Sequence, residues 1–350
     1  MRQFKLFVFI ILVLLLFSTV SVARIYQVEL IKETANKKNS YDDFYFVQLT
    51  DTHTKHKIFD RYGATTKRLT TVLDKIKSFE NPPAFVVITG DLVEWSGGDP
   101  TGALNCQTFV SLFHEDNNRL YLDSDLTIPV YTTPGNHDYT FTRNLDNYHK
   151  FIDKSHIAEE DRYILTHEDV SLFFMDSGPN YVDNPSDWLE IMGDGLYEDD
   201  INWLTEELSN CESSHKIILM HHPAVSDRNE QGEMKDVIAR NRLEFIELCE
   251  TNDVELVLVG HTHSARVYDC DENKYNNLPL NCSDYSTFYV QSDDCKQGVH
   301  YRNISIIDNN VWLERSVEIK INVNPVEKIR SCNNFRIIDL LNRFNNLRYT

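Results

Sequence analysis

Short apolar runs that end in polar clusters recur along this chain. Residues 44–49 run into Asp51-Thr52-His53, and residues 84–89 into Gly90-Asp91. Residues 128–132 run into Gly135-Asn136-His137-Asp138, residues 216–220 into His221-His222-Pro223, and residues 254–259 into Gly260-His261-Thr262-His263. Each run is short and rich in Val, Ile and Phe, which predicts buried strands. Between them the period changes. Residues 66–79 place Leu69, Val72, Leu73 and Ile76 at helical spacing, and residues 199–208 and 240–249 read the same way. Strands alternating with helices predict an α/β sheet, where ligands gather at the carboxyl ends of strands. All five polar clusters fall at such ends.

Other segments read differently. Residues 100–105 and 180–195 are rich in Gly, Pro, Asp and Asn and read as loops rimming those strand ends. Beyond residue 285 the runs 287–291, 301–307, 311–314 and 317–323 predict an antiparallel portion. Residues 335–347 space Phe335, Ile338, Leu341 and Phe344 at three, which predicts an amphipathic helix within a C-terminal extension (326–350) packed on the core. At the other end, Arg2 and Lys5 precede an unbroken apolar run from Leu6 to Phe17, and Ser21-Val22-Ala23 follows. That is the layout of a secretory signal peptide over residues 1–23, too short for a comfortable span. Residues 24–42 are a polar lead-in to one domain over 43–325.

Secretion changes how the cysteines and asparagines are read. The chain has seven cysteines, an odd number, and no Cys-x-x-Cys pair, which argues against a zinc ribbon. Cys270, Cys282 and Cys295 cluster in a loop-like stretch, where a local disulfide is expected. Asn281-Cys282-Ser283 and Asn303-Ile304-Ser305 are N-glycosylation acceptor patterns. Charge narrows the partners. The 350 residues carry a formal charge of −20, and loss of residues 1–23 removes only two cations, giving −22. This argues against a partner bound through phosphate-backbone electrostatics, so no nucleic-acid-binding surface is expected; no stable membrane insertion after signal cleavage and a monomer are expected too. It does not exclude a small phosphate ester, because bound cations reverse the local field.

The five clusters supply carboxylates, one amide and several imidazoles. That donor set suits Zn, Mn, Fe or Co rather than Ca. Two ions about 3.5–4 Å apart need a shared ligand and separate terminal ones. An Asp can bridge with its two oxygens, and alternate residues of an extended segment, such as Asp51/His53 and His261/His263, can bracket the pair. Gly90, Gly135 and Gly260 each stand just before a ligand block, where the backbone must come close to the ions.

The five blocks in this order resemble the calcineurin-like binuclear metallophosphoesterase superfamily over residues 45–265. The resemblance implies a four-layer α/β/β/α sandwich with two mixed β-sheets. It implies that Asp51, His53 and His263 hold a first metal, that Asn136, His221 and His261 hold a second, and that Asp91 bridges both. His221 rather than His222 is the ligand, two positions before Pro223; His222 is left between packing and substrate contact. His137 would assist the leaving oxygen, and Asp138 would orient His137 by accepting a hydrogen bond.

The implied activity is hydrolysis of phosphate mono- or diesters by attack of a hydroxide bridging two divalent or trivalent ions. Subgroup markers differ. Glu94 stands three residues after Asp91, where purple acid phosphatases carry a Tyr. Trp95 and Asp138 stand where acid sphingomyelinase-like phosphodiesterases carry His and Glu, although the His-x-Pro and Gly-His-Thr-His blocks look similar to theirs. The alternatives carried forward are therefore a sphingomyelinase-like phosphodiesterase on lipid or nucleotide substrates, and a non-catalytic scaffold that keeps the fold.

Overall fold

A computed structural model describes residues 42–320, apart from 61–62, 98–99, 141–142, 155–160, 181–192, 235 and 284–285. The expected signal peptide, the lead-in up to residue 41 and the C-terminal extension with its helix lie outside the described residues.

Eight strands carry the architecture: β1 (Phe44–Leu49), β2 (Val86–Thr89), β3 (Pro129–Thr133), β4 (Val170–Phe174), β5 (His215–Leu219), β6 (Leu256–Val259), β7 (Phe288–Gln291) and β8 (His300–Ile307). Four helices flank them: α1 (Ala64–Lys77), α2 (Thr101–Val110), α3 (Glu198–Asn210) and α4 (Arg242–Thr251).

In a nine-stranded sheet, β1, β2 and β3 run parallel and β8 lies antiparallel to β1. In a six-stranded sheet, β4, β5, β6 and β7 run parallel, with antiparallel edge strands Tyr163–His167 and Arg266–Tyr268. Both sheets are mixed. A separate short pair joins Gly193–Gly195 to Ile238–Arg240.

Side-chain alternation along the strands sorts the core into layers. Phe46 and Val87 of the first sheet meet Leu172, Ile217, Leu219, Leu258 and Val290 of the second in a cluster between the sheets. Their neighbours Val47, Leu49, Val86 and Ile88 face outward onto Leu69, Val72, Leu73 and Ile76 of α1 and Phe109 of α2. On the far side, Phe173, Ile218 and Val257 face Ile201, Leu204 and Leu208 of α3 and Phe245 of α4. This is the four-layer α/β/β/α sandwich. The helical spacing in α1 buries all four of its aliphatic side chains to 1% exposure or less. Each is worth about 1.5–3 kcal/mol against full exposure.

Three expectations are corrected. The run at 287–291 is not antiparallel; as β7 it is parallel to β6 and carries a further strand end to the same edge. The loop expected over 100–105 is largely the start of α2. Gly102 allows it, since a Cβ there would lie 2.0 Å from the Ser96 carbonyl oxygen.

The local disulfide expected among Cys270, Cys282 and Cys295 does not form; all three are free thiols. Cys295 is buried in the helix-side layer of the first sheet, Cys282 lies between the sheets, and Cys270 packs on the outer layer of the second. Closeness in sequence thus does not place the three thiols in one layer. Both glycosylation acceptors sit on strands: Asn303 on β8 and Asn281 at the sheet edge. Among the described residues no helix is long and apolar enough to cross a membrane.

Candidate metal centre

The carboxyl ends of β1, β2, β3, β5 and β6 bring all five polar clusters together. Backbone bonds lock the first two: Asp51 N–H donates to the Gly90 carbonyl at 3.1 Å and His53 N–H to the Asp91 carbonyl at 2.9 Å. The sheets are then stitched to each other, because His261 N–H donates to Asp51 Oδ2 at 2.9 Å. The bracketing residues are not extended, contrary to expectation. Asp51, His53, Asp91, His261 and His263 have φ of 51°, 43°, 51°, 66° and 49°. Left-handed backbone in non-glycine residues costs about 1–3 kcal/mol each and concentrates at functional sites. Here it turns successive side chains inward from each strand end.

Close backbone approach explains two glycines. A Cβ on Gly260 would lie 1.8 Å from Thr50 Oγ1 and 2.4 Å from Asp51 Oδ2, and one on Gly135 would lie 2.2 Å from Asp91 N.

The donor atoms converge as four overlapping groups: Asp51, His53 and His263; Asp51, Asp91 and His221; His53, Asp91 and His137; and His221, His222 and His261. His263 Nε2 lies 3.1 Å and His53 Nε2 3.6 Å from Asp51 Oδ1. Asp91 faces His53 Nε2 with Oδ2 at 3.3 Å and His221 Nε2 with Oδ1 at 3.3 Å, which is the two-sided arrangement a bridging carboxylate requires. Asn136 Oδ1 lies 3.1 Å from His221 Nε2, and the His261 and His221 ring centroids are 5.1 Å apart. The seven residues expected as ligands are thus all in one place.

These residues fit metal ions. Among the described residues, Asp51 Oδ1 and His53 Nε2 are buried without a hydrogen-bond partner, a costly state that a shared cation relieves. The other ring nitrogens are anchored, which aims Nε2 at the centre. His221 Nδ1 bonds the Thr89 carbonyl at 2.9 Å, His263 Nδ1 pairs with Asp294 Oδ2 at 2.9 Å, and His53 Nδ1 faces Glu94 Oε2 at 3.2 Å. Burial pushes His221 and His263 down, but Asp91 outweighs it at the first and Asp294 with Asp51 at the second, lifting both to about 9. The centre thus holds protons where a metal would replace them.

His137 differs from its neighbours. Its side chain is 35% exposed, its Nδ1 bonds the Glu94 carbonyl, and its backbone N–H donates to Asp91 Oδ1 at 2.8 Å. It stands at the open side of the centre.

The role expected for Asp138 is corrected, since its carboxylate does not receive His137. Completely buried, it accepts the backbone N–H groups of Leu92 at 3.1 Å, Val93 at 3.1 Å and Gly135 at 2.8 Å. It therefore pins the turn after Asp91 to the turn before Asn136. Burial, then the charge on Asp91, pushes Asp138 up to about 7.

Three residues were missed as partners. Asp294 follows β7 and Ser177 follows β4, so both lie at strand ends, but neither cluster carries a histidine to mark it. In the sequence Glu94 stands out only as a departure from a tyrosine. The fold makes it the partner of His53, with Lys55 and Lys296 each 3.5 Å from its Oε2.

The sequence profile of the calcineurin-like phosphoesterases matches residues 44–265, well over half of the chain. The chain belongs to the calcineurin-like phosphoesterase family. It is accordingly a hydrolase acting on phosphoester bonds, in a family that uses divalent metals, and its buried His/Asp clusters are able to hold them.

Solved structures are similar to the chain at low identity. The purple acid phosphatase PPD1 of yellow lupin (Lupinus luteus) superposes with a TM-score of 0.50 at 13% identity, over 80% of this chain and 52% of its own. This calcineurin-like chain therefore spans about half the length of the lupin enzyme. GAP50, the anchor in the inner membrane complex of Plasmodium, gives 0.44 at 13% identity, over 84% of this chain and 94% of its own. The NAD nucleotidase of Haemophilus influenzae gives 0.41 at 14% identity, over 80% and 56%. No curated protein sequence matches the chain.

Proposed function

We propose that this calcineurin-like phosphoesterase is a two-metal hydrolase of small phosphate mono- or diesters, working in the secretory pathway or outside the cell. The observation that carries the reading is the convergence of Asp51, His53, Asp91, Asn136, His221, His261 and His263 from five strand ends, with buried donor atoms left unsatisfied at the centre. Asp51, His53 and His263 would hold one ion and Asn136, His221 and His261 the other, with Asp91 between them. When bound, such ions neutralise phosphoryl charge and lower the pKa of water towards neutrality. Zn, Mn, Fe or Co suit the donor set.

The protein's own contribution is positional. Asp138 holds the two turns that present Asp91 and Asn136. His137 donates its Nδ1–H to the Glu94 carbonyl, which fixes the ring and leaves Nε2 as the atom that would pass a proton to a leaving oxygen when the ring is doubly protonated. Glu94 in place of a tyrosine argues against a purple, tyrosinate-bound iron site. The secretory assignment rests on the signal-peptide layout of residues 1–23.

The test is metal analysis of the purified full chain together with hydrolysis of mono- and diester panels across pH. Wild-type protein is expected to hold two ions, and Asp91→Asn or His221→Ala to lose metal and hydrolysis together. Activity that persists after complete chelation, with metal content shown to be zero, would sink the reading. N-terminal sequencing of secreted protein checks the cleavage after Ala23.

A further inference from the structure

The chain carries a formal charge of −20, yet one rim of the centre is basic. Lys55 lies two residues after His53, and Lys296 lies two residues after Asp294, the partner of His263. The two ammonium groups converge on one atom: each is 3.5 Å from Glu94 Oε2. His53 Nδ1 faces the same oxygen at 3.2 Å. Two ammonium groups on one carboxylate leave positive charge in excess. The side chains of Lys55 and Lys296 are 21% and 17% exposed, so both keep contact with solvent.

Backbone bonds fix where this excess sits. His137 Nδ1 bonds the Glu94 carbonyl, and Ser96 N–H donates to the His137 carbonyl at 2.9 Å. The segment bearing Glu94 therefore runs along His137, on the open side of the centre. Lys55 is held against the start of α1: its N–H donates to Thr65 Oγ1 at 3.1 Å, and its carbonyl accepts the Thr66 hydroxyl at 3.4 Å. Arg68 of α1 donates to the Lys296 carbonyl, which puts a third cation behind the pair. Past Lys55 an open hollow of about 540 Å³ is lined by His56, Lys57, Thr66 and Lys67, and both of these lysines are exposed. Asp60 is the one acid in residues 54–70. Its carboxylate is occupied by the Thr65 N–H at 2.9 Å and the Thr65 hydroxyl at 3.1 Å.

We infer that Lys55 and Lys296 are specificity-determining residues that receive a second anionic group of the substrate, beside the phosphoryl group at the centre. The substrate class is a phosphate ester whose leaving part itself carries a phosphate or a carboxylate. The leaving part departs on the side of His137, and the two lysines flank His137 there. A lysine ammonium has three donors, and Glu94 Oε2 is a single shared acceptor, so an arriving anion finds both charge and donors. This inference rests on the two-metal reading and deepens it.

The test uses metal-loaded full-length protein, with ethylphosphonate and 2-carboxyethylphosphonate as probes in titration calorimetry and metal content measured on the same samples. The probes differ by one carboxylate. The wild type is expected to bind the second about three- to tenfold more tightly at low salt. That advantage shrinks in about 1 M NaCl, where the screening length falls to about 3 Å. Lys55→Gln and Lys296→Gln each lower the ratio, and the double variant brings it near one while metal content is kept. Lys55→Arg with Lys296→Arg retains most of it. Hydrolysis supplies the phosphate arm. Propane-1,3-diyl bisphosphate is expected to show a lower KM than propyl phosphate, and the double Gln variant to erase that KM difference without changing the ratio of the two kcat values.

A preference seen with only one of the two anions keeps the inference and assigns the ligand to that anion. No preference in either arm of the wild type overturns it, and so does a preference that the double Gln variant leaves intact. If both phosphonates weaken alike in that variant and metal is lost, the lysines serve only to hold Glu94, and the inference fails. Should the double variant fail to fold, unchanged ratios in the two single variants overturn it. A wild-type chain that holds metal and hydrolyses both esters alike defeats this inference alone. A wild-type chain that binds no metal defeats the underlying two-metal reading, and this inference with it.

Discussion

Asp138 offers the sharpest choice between two physical accounts of one residue. The motif assigns it to His137; the structure gives its carboxylate to three backbone N–H groups, those of Leu92, Val93 and Gly135. In Asp138→Ala those donors keep their buried surroundings and lose their acceptor. An unsatisfied buried donor costs about 1–3 kcal/mol, so three of them cost about 3–6 kcal/mol after partial relaxation. In Asp138→Asn one oxygen becomes an amide nitrogen that faces Val93 N–H or Gly135 N–H, donor against donor, for a loss of about 1–3 kcal/mol. Urea denaturation of metal-free protein measures both values away from the chemistry. The second readout is kcat on a chromogenic phosphate ester. The turn-pinning account expects stability to fall in the order wild type, Asn, Ala, with activity falling through misplaced Asp91 and weakened metal retention. If Asp138→Asn loses less than about 0.5 kcal/mol while kcat drops a hundredfold at full metal loading, the turn-pinning account is wrong and the carboxylate acts on His137 after all.

Further outcomes follow from the partners of the ligand histidines and from the thiols. Glu94→Gln weakens the contact behind His53 and is expected to lower metal affinity about 10–100-fold, read by competition with a chelating dye; unchanged affinity would remove Glu94 from the centre's support. Because His221 and His263 are lifted to about 9, they hold protons at pH 7 that a metal must displace. Metal binding should therefore release protons at pH 7 and tighten as pH rises towards 9. Calorimetry in buffers of different ionisation enthalpy counts the protons, and a buffer-independent heat would contradict the assignment. Peptide mapping without reductant is expected to find no crosslink among Cys270, Cys282 and Cys295, since they occupy three different layers.

The sequence alone determined the alternation of strands and helices, the five ligand blocks and their order. Local chemistry suffices for these. Period-two and helical spacings bury one face of each element, and a glycine before each of three blocks marks where the backbone must pass close to a carboxylate or an imidazole. What it left open, or read wrongly, depended on contacts between residues far apart in the chain. The run at 287–291 has strand character in either direction, and only the open edge of β6 makes it parallel and sends Asp294 to His263. Asp138 sits beside His137 in the chain, yet its carboxylate is drawn to buried N–H groups some 45 residues earlier, because unsatisfied donors in the core outweigh proximity in sequence. Ser177 carries no motif, and only the packing of β4 beside β5 brings its hydroxyl to the His222 ring. Cys270, Cys282 and Cys295 look like one cluster on paper and are parted by the sheets, since layer position follows side-chain alternation and not spacing along the chain.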